Sequence, residues 1–556
     1  MKIIKGFPAT SQHDCQLNVT NIIKHGARNF GRQEIVSRRL DGTIFRYTYQ
    51  EAYHRIKLLA NSLETLGINV GDRVGVLAWN TYRNYEIYYG IPGTGAVMLL
   101  LNLRLAPQEL NYVVNHARAS FLFVDETLLP VVESIAPECE TVKGYVILTD
   151  NDLSKIEPNL DPIWSYEDLL SKATSDFEWP NIDETSAYSA CYTSGTTGRS
   201  KGVYYSHRDA YLQAMEYALN AMISVKDCVF QIVPMFHVLG WGTPQAATLA
   251  GAKLVFPGRY SLNELDILAE MLVQEQVTLS NGVPAILMAI LEYIRKMDQK
   301  PDLSGARFIC GGSEPPIAMM KDYWELTGAE VVHSYGSTEA HAIVTLNWLK
   351  PWLEKELSEE ERWDLKRKQG SIVSGLDIKI VDLDGNELPH DGKSSGEILL
   401  RGPWVLGSYY NAPGSEVQFT PDGYFKSGDV GTLDPEGYLK ITDRLKDLIK
   451  SGGEWISSVD MENALVSHPA VLEAAVVGTP HPKWEERPLA LVVLRDEFKA
   501  KAKKEEIREH LAESFAKWQL PDEILFVDAI LRTSVGKIDK KVIRAKYKDI
   551  YANKLS

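Results

Sequence analysis

The densest run of reactive side chains is Tyr192-Thr-Ser-Gly-Thr-Thr-Gly-Arg-Ser-Lys201-Gly202, which sets three glycines and two cations among eleven residues, with Ser and Thr filling most of the rest. Glycines let backbone N–H groups approach a polyphosphate, hydroxyls donate hydrogen bonds, and Lys201 brings positive charge. The spacing is not that of the GxxxxGK[ST] loop, so the chemistry is phosphate binding by another route. Other candidates follow. Glu339, preceded by Thr338, offers hard oxygens suited to Mg²⁺. Asp429 carries a carboxylate able to accept from two vicinal hydroxyls, and Arg444 follows it. Lys537 stands in Val535-Gly-Lys-Ile-Asp-Lys540, where a flexible ammonium can reach into a site. His237 lies in Pro234-Met-Phe-His-Val-Leu-Gly-Trp241, and a lone His among apolar residues is more often core than catalyst.

These residues need a scaffold, and the apolar patterning supplies one. β-Branched runs at Arg73–Ala78, Ala96–Leu101, Ser120–Val124 and Tyr145–Leu148, then Val229–Val233, Lys253–Phe256, Val277–Ser280, Arg307–Cys310 and Glu330–His333, leave room for one helix between neighbours. That is the alternation of parallel sheets covered by helices. A strand-like run, Ser186–Tyr192, feeds the phosphate sequence. After Gly370 shorter strands, Asp377–Val381, Glu397–Arg401 and Tyr438–Thr442, are punctuated by Asp-Gly turns. An α+β pattern follows: helix Val459–Ser467, strands Val471–Val477 and Leu489–Val493, helix Glu505–Ala516. The expected class is α/β, with a large N-terminal domain (1–442) of two α/β layered subdomains plus a small β unit, a hinge (443–447), and a small mobile α+β C-terminal domain (448–556).

With 556 residues the chain is too long for one core. A formal net charge of -15 argues against nucleic acid or an anionic membrane as partner. Five scattered cysteines have neither zinc nor redox spacing and fit a reducing cytoplasm. The first residues lack a signal-peptide pattern, and Ile87–Leu103, broken by Gly90, Pro92, Gly93 and Gly95, reads as buried core rather than a membrane span.

The phosphate sequence resembles the loop of the acyl-adenylate-forming superfamily, which includes acyl-CoA synthetases, luciferases and peptide-synthetase adenylation domains. Further motifs of that superfamily follow in order: Tyr335-Gly-Ser-Thr-Glu339, Tyr424-Phe-Lys-Ser-Gly-Asp429, Gly437-Tyr438 with Asp443-Arg-Leu-Lys-Asp447, Ser451-Gly-Gly-Glu454, and Val535–Lys540. The resemblance runs from Tyr49 to the C-terminal tail. It implies ATP, Mg²⁺ and coenzyme A as the small molecules used with a carboxylic acid, and a homodimer as the expected assembly. It implies a nucleotide site of Thr193, Ser194, Gly195, Thr196, Thr197, Gly198, Lys201, Gly312, Ser313, Glu314, Ser334, Tyr335, Gly336, Ser337, Thr338, Asp429, Arg444 and Lys537. In that site Glu339 and Thr193 hold the metal, Tyr335 stacks on adenine, and Asp429 binds ribose. It implies catalytic parts for Lys537, Lys201, Glu339 and His237. It also implies an acyl pocket of His237, Val238, Trp241, Val283, Gly312 and Ser337, a pivot at Lys446, and a coenzyme A contact at Ser451, Gly452, Gly453 and Glu454.

By the same resemblance an acid becomes an acyl-adenylate and then a thioester. Bacterial medium- to long-chain fatty acyl-CoA synthetases are the nearest pattern, with Trp241 closing the acyl tunnel. Transfer to a carrier protein is the alternative, although no carrier domain is expected after Lys540. Three departures, Glu314, Ser337 and Ala340-His341, introduce polarity near the acyl end and favour a short, aromatic or functionalised acid if they line the pocket.

Overall fold

The computed structural model describes residues 4–12, 14–193, 199–261, 264–382, 384–451, 454–532 and 538–552. By packing, the chain falls into two units: Met1–Asp377 with Leu400–Phe425, and Ile378–Leu399 with Lys426–Ser556. This division is a separate matter from the pivot implied at Lys446.

The first unit is α/β and holds two sheets. One orders Ile163–Ser165, Tyr145–Leu148, Ala119–Asp125, Arg73–Leu77, Val97–Leu100, Ala187–Thr193 and Lys201–Ser206. Its strands are parallel except for the closing hairpin, Ala187–Thr193 with Lys201–Ser206. The other has a parallel centre of Glu330–Ser337, Arg307–Cys310, Leu279–Gly282, Cys228–Phe230, Lys253–Phe256 and Glu34–Arg38. Antiparallel strands flank it: Ile44–Thr48 at one end, Ala342–Leu346 and Gly370–Ile372 at the other. The helix Tyr82–Gly93 is buried on every face and leads into the buried strand Val97–Leu100, which is why the apolar stretch 87–103 is core. Among the described residues no helix is long and apolar enough to cross a membrane.

Two of the expected elements differ in a way that bears on the site. The run Val229–Val233 yields a strand only over Cys228–Phe230, because the chain turns away ahead of Pro234, which has no N–H to offer a ladder. The strand expected over Glu330–His333 runs on to Ser337, through a bulge at Tyr335-Gly336.

In the second unit Phe425–Leu433 pairs antiparallel with Tyr438–Arg444. A further sheet is built on the long hairpin Val471–His481 with Glu485–Leu494, joined by Ile449–Ser451, Glu454–Ile456 and the parallel strand Glu523–Phe526. The helices Ser458–Ser467 and Lys504–Ala512 bury Met461, Leu465, Ile507 and Leu511 against Val476, Ala490 and Val492.

An ion network ties three helices of the first unit. Arg55 on Tyr49–Thr65 donates Nε to Glu86 Oε1 at 2.7 Å, Tyr166 Oη donates to Glu86 Oε2 at 2.7 Å, and Glu167 accepts from both Arg55 and Arg83. The Glu86 side chain is fully buried, and burial raises its pKa against the opposing pull of Arg55. Removing Arg55 would strand that charge. Arg55→Met should therefore destabilise the protein by roughly 3–5 kcal/mol, and Arg55→Met/Glu86→Leu by less, as read from denaturant melts; equal losses would contradict this account.

Candidate active site

The hairpin register pairs Thr193 with Lys201, so the phosphate sequence forms the connection between the two strands. Ser194, Gly195, Thr196, Thr197 and Gly198 lie outside the described residues. The flanks are anchored by one face of the helix Pro107–Ala117. Glu109 Oε1 accepts from Ser200 N at 3.1 Å and Ser200 Oγ at 2.5 Å, Arg199 lies over the Tyr112 ring at 4.9 Å, and His116 Nδ1 is 2.8 Å from Tyr192 Oη. Residues 109, 112 and 116 share a face because they stand three and seven apart on a 3.6-residue turn. The stripe is legible in the sequence, but nothing local connects it to a loop some eighty residues away.

Lys201 and Glu339, 138 positions apart, meet through a residue that sequence reasoning missed. Lys201 Nζ sits 4.7 Å from the centre of the Tyr409 ring, and Tyr409 Oη donates to Glu339 Oε1 at 2.8 Å. Burial and then the Glu339 charge raise the Tyr409 pKa, so the phenol stays protonated and donating. Backbone contacts fix the same junction: Leu406 N donates to Glu339 O at 2.6 Å, Tyr410 N to Gly202 O at 2.9 Å, and Tyr205 Oη to Thr338 O at 2.6 Å. The pair Tyr409-Tyr410 sits in a loop with no distinguishing spacing, so its role depends on tertiary structure. The donor set offered by this junction, the Glu339 carboxylate with Thr338 next to it in sequence and Thr193 paired with Lys201 in the hairpin, is hard-oxygen chemistry. No cluster of three His, Cys, Asp or Glu occurs among the described residues. Mg²⁺ characteristically takes one or two carboxylates and leaves the other positions to water and phosphate, so this set fits it.

The carboxyl ends of parallel strands form the usual ligand edge of such sheets. Here Leu279–Gly282 ends at Val283, Arg307–Cys310 at Gly311–Glu314, and Glu330–Ser337 carries Ser334, Tyr335, Gly336 and Ser337. A Cβ on Gly336 would fall 1.5 Å from Ala342 O, so only glycine permits the bulge. Gly312 takes φ +86°, and Ser334 Oγ donates to Cys310 O at 3.2 Å. After Cys228–Phe230 the chain passes His237 and enters a left-handed turn through Val238–Gly242, which buries Trp241. A Cβ on Gly311 would meet Trp241 Cη2 at 3.0 Å and Ser334 Oγ at 2.8 Å, so the indole tip stands at this edge beside residues of the expected nucleotide site.

The three polar departures resolve individually. Glu314 accepts from Arg367 Nε at 2.8 Å, so its charge is matched within the protein. His341 is buried, stacks on Tyr205 with ring centres 4.3 Å apart, and places Nε2 at 3.1 Å from Tyr188 Oη. Burial pushes its pKa down to about 3, so it is neutral near pH 7. Ser337 Oγ is buried without a hydrogen-bond partner.

The second unit holds the rest. Asp429 and Arg444 face each other across the antiparallel pair, with Arg444 Nε 3.2 Å from Asp429 Oδ1; Asp429 is buried and Arg444 half exposed. Lys446 lies just beyond, before Asp447, whose carboxylate accepts from Arg544 Nη1 at 2.6 Å. Ser451 is buried, and its Oγ accepts from Arg487 Nη1 at 3.0 Å. Gly452, Gly453, Lys537 and the Glu454 side chain lie outside the described residues. Lys540 is not a surface charge: its Nζ meets Glu462 Oε1 at 2.8 Å and donates to Ser458 Oγ at 2.6 Å.

A phosphate-sequence hairpin beside the carboxyl edge of a parallel sheet defines a nucleotide-using α/β enzyme. The model of the AMP-binding enzyme family matches residues 23–410, and that of the AMP-binding enzyme C-terminal domain matches 460–537. A long-chain-fatty-acid–CoA ligase of Thermus thermophilus is 44% identical over 99% of this chain and 98% of its own length. A 3-methylmercaptopropionyl-CoA ligase of Ruegeria lacuscaerulensis is 41% identical over 96% and 98%. The crystal structure of the anthranilate CoA ligase AuaEII in complex with anthranoyl-AMP matches with a TM-score of 0.85 at 25% identity, covering 97% of this chain and 99% of that one. The chain belongs to the AMP-binding enzyme family.

Two outcomes follow from this geometry. Glu109 acts on the phosphate sequence through Ser200, and a hydrogen bond to a charged group contributes about 1.5–3 kcal/mol, so Glu109→Ala should weaken ATP binding in calorimetry by roughly tenfold or more. Glu109→Gln, which keeps an acceptor oxygen, should recover much of it; unchanged affinity in both variants would remove Glu109 from this role. The second outcome concerns His341. Its folded pKa of about 3 lies below the ordinary 6.5, so the unfolded chain takes up the proton first. The stabilisation is complete above about pH 6.5 and is lost as pH falls toward the folded value. Between pH 7 and about 4 the wild type should lose melting stability faster than His341→Gln, and parallel curves would contradict the assignment.

Proposed function

We propose that the protein is an ATP-dependent acyl-CoA ligase acting through an acyl-adenylate, with a medium- to long-chain fatty acid as substrate. The observation that carries this reading is the Tyr409 bridge, which joins Lys201 of the phosphate hairpin to Glu339 beside the carboxyl edge that also presents Trp241. The 44% identity to a long-chain-fatty-acid–CoA ligase and the match to a ligase holding an acyl-AMP support it.

In the first half-reaction the acid carboxylate attacks the α-phosphorus of ATP and pyrophosphate leaves. Lys201 and Lys537 offset the charge gathering on the phosphate oxygens, and catalysis rests on positioning and electrostatics. Mg²⁺ held by Glu339 and Thr193 would add positive charge against the phosphates. Tyr335 packs on adenine, while Asp429 and Arg444 take the ribose. His237, Val238, Trp241, Val283, Gly312 and Ser337 receive the acid. The part beyond the pivot at Lys446, residues 448–556, then rotates, withdraws Lys537 and presents the segment 451–454 to coenzyme A. The thiol attacks the acyl carbon and AMP departs. Cysteine usage supports a cytoplasmic setting, and the resemblance supports a homodimer.

Because Arg367 matches Glu314 and His341 is neutral, neither places an unmatched charge in an acyl pocket, which favours an apolar chain. The unpartnered Ser337 Oγ and the 41% identity to the 3-methylmercaptopropionyl-CoA ligase support a second reading, a short acid with one polar atom. An assay with ATP, Mg²⁺, coenzyme A and acids from acetate to palmitate, together with 3-methylmercaptopropionate and benzoate, separates the two. AMP and pyrophosphate should form with the longer fatty acids, and Lys537→Ala should lower the adenylation rate by roughly 10²–10³-fold. AMP only with short acids would select the second reading, and ADP in place of AMP would overturn both.

A further inference from the structure

The chain from Gln231 to Gly242 runs along the carboxyl edge after its strand has stopped, yet it is buried almost throughout. Gln231 N still donates to Val255 O of the strand Lys253–Phe256 at 2.9 Å, and the peptide groups after it need partners other than a neighbouring strand. The turn that ends it is also unfavourable: Val238, Leu239 and Trp241 adopt φ of 38°, 49° and 61°, continued by Gly240 and Gly242 at 59° and 75°. Left-handed backbone costs roughly 1–2 kcal/mol for each residue with a Cβ, and it persists only where the surroundings impose it.

Three buried amides impose it, Gln231 from the segment itself and Asn80 and Asn281 from distant parts of the first unit. Asn80 Nδ2 donates to the carbonyls of Gln231, Ile232 and Val233 at 2.9, 3.2 and 2.9 Å, and its Oδ1 accepts from Met235 N at 2.8 Å. Asn281 Oδ1 accepts from Ile232 N and Val233 N at 3.2 and 3.0 Å, while its Nδ2 donates to Gly240 O at 3.2 Å and Thr243 Oγ1 at 2.8 Å. Gln231 Nε2 donates to Val233 O at 2.6 Å and Gly240 O at 3.2 Å, and its Oε1 accepts from Asn281 at 3.3 Å. All three are at most 3% exposed. A carboxamide supplies two donor hydrogens and an acceptor oxygen without charge, the same groups a peptide unit presents, so these side chains stand in for the missing strand. Gly240 O, in the middle of the left-handed turn, receives both Gln231 and Asn281. The same turn sets the direction of Trp241.

We propose that Asn80, Gln231 and Asn281 are positioning residues that determine acid specificity by fixing the segment His237–Trp241, while leaving nucleotide binding untouched. The proposal rests on the reading that this segment lines the acid pocket. A purely structural network would instead lower stability and alter both substrates alike.

Gln231→Met keeps the side chain's length and removes its donor and acceptor; Asn80→Ser is a milder change that retains one hydroxyl. Both are measured in the full-length protein, with melting temperature and ATP affinity as tests of fold. The expected result is a rise of about tenfold in the acid KM, the size of one or two lost buried hydrogen bonds, with a shifted preference between butyrate and palmitate and an unchanged KM for ATP. Equal changes in both KM values, or an unchanged preference in folded variants, would overturn the proposal. Trp241→Ala tests the underlying reading separately. If it leaves acid preference unaltered, the pocket assignment fails; if it alters preference while the amide variants do not, only the positioning role fails.

Discussion

Where the parallel strands of the larger sheet in the first unit stop, their last peptide groups lose the ladder, and a buried peptide group without a partner costs about as much as several side-chain contacts supply. The candidate site is organised around meeting that demand. Tyr205 and Leu406 reach Thr338 and Glu339 through their carbonyls, Ser334 turns back to Cys310, and the amides of Asn80, Gln231 and Asn281 hold the departing chain. Gly336 accepts the close approach of Ala342 O because it has no Cβ. An edge whose backbone is satisfied from within can leave side chains facing a ligand, which is the condition for pre-organised electrostatics.

Charge is handled by the same local matching. The chain is acidic overall, yet the hairpin carries Arg199 and Lys201, each set over a tyrosine ring. A cation above a ring keeps its charge and gains an attractive face without a carboxylate to neutralise it. Carboxylates nearby are committed: Glu109 to Ser200, Glu314 to Arg367, and one oxygen of Glu339 to Tyr409. Among the described residues neither cation is in an ion pair, so a polyanion approaching the hairpin would meet both charges. In the second unit Lys540 is consumed by Glu462, while the motif lysine three positions earlier is the one assigned to chemistry.

The two relatives are named for different acids, yet they are 44% and 41% identical to this chain over nearly its whole length. Discrimination among acids by a hydrophobic pocket is worth only about 1–3 kcal/mol per methylene, so small displacements of a wall matter. A wall built on a left-handed turn, held by one amide of its own segment and two from distant parts of the unit, can be moved by substitutions that never touch the acid.

The sequence by itself determined the α/β class, the order of the motifs and the glycine–hydroxyl–cation character of the hairpin, because periodicity and composition are local properties of the chain. Gly336, Asp429 and Lys446 were legible as motif members for the same reason. Tertiary structure decided what those residues meet. Tyr409 between Lys201 and Glu339, the 109–112–116 stripe beneath Ser200, and Arg367 against Glu314 all join positions at least fifty residues apart. His341, expected to add polarity near the acyl end, is a buried ring stacked on Tyr205 whose pKa burial lowers. The strand that stops at Phe230 and the one that runs on past His333 through the bulge at Gly336 differ from expectation because apolar runs do not say whether a ladder partner is present. That partner comes from a distant segment, and only the folded chain supplies it.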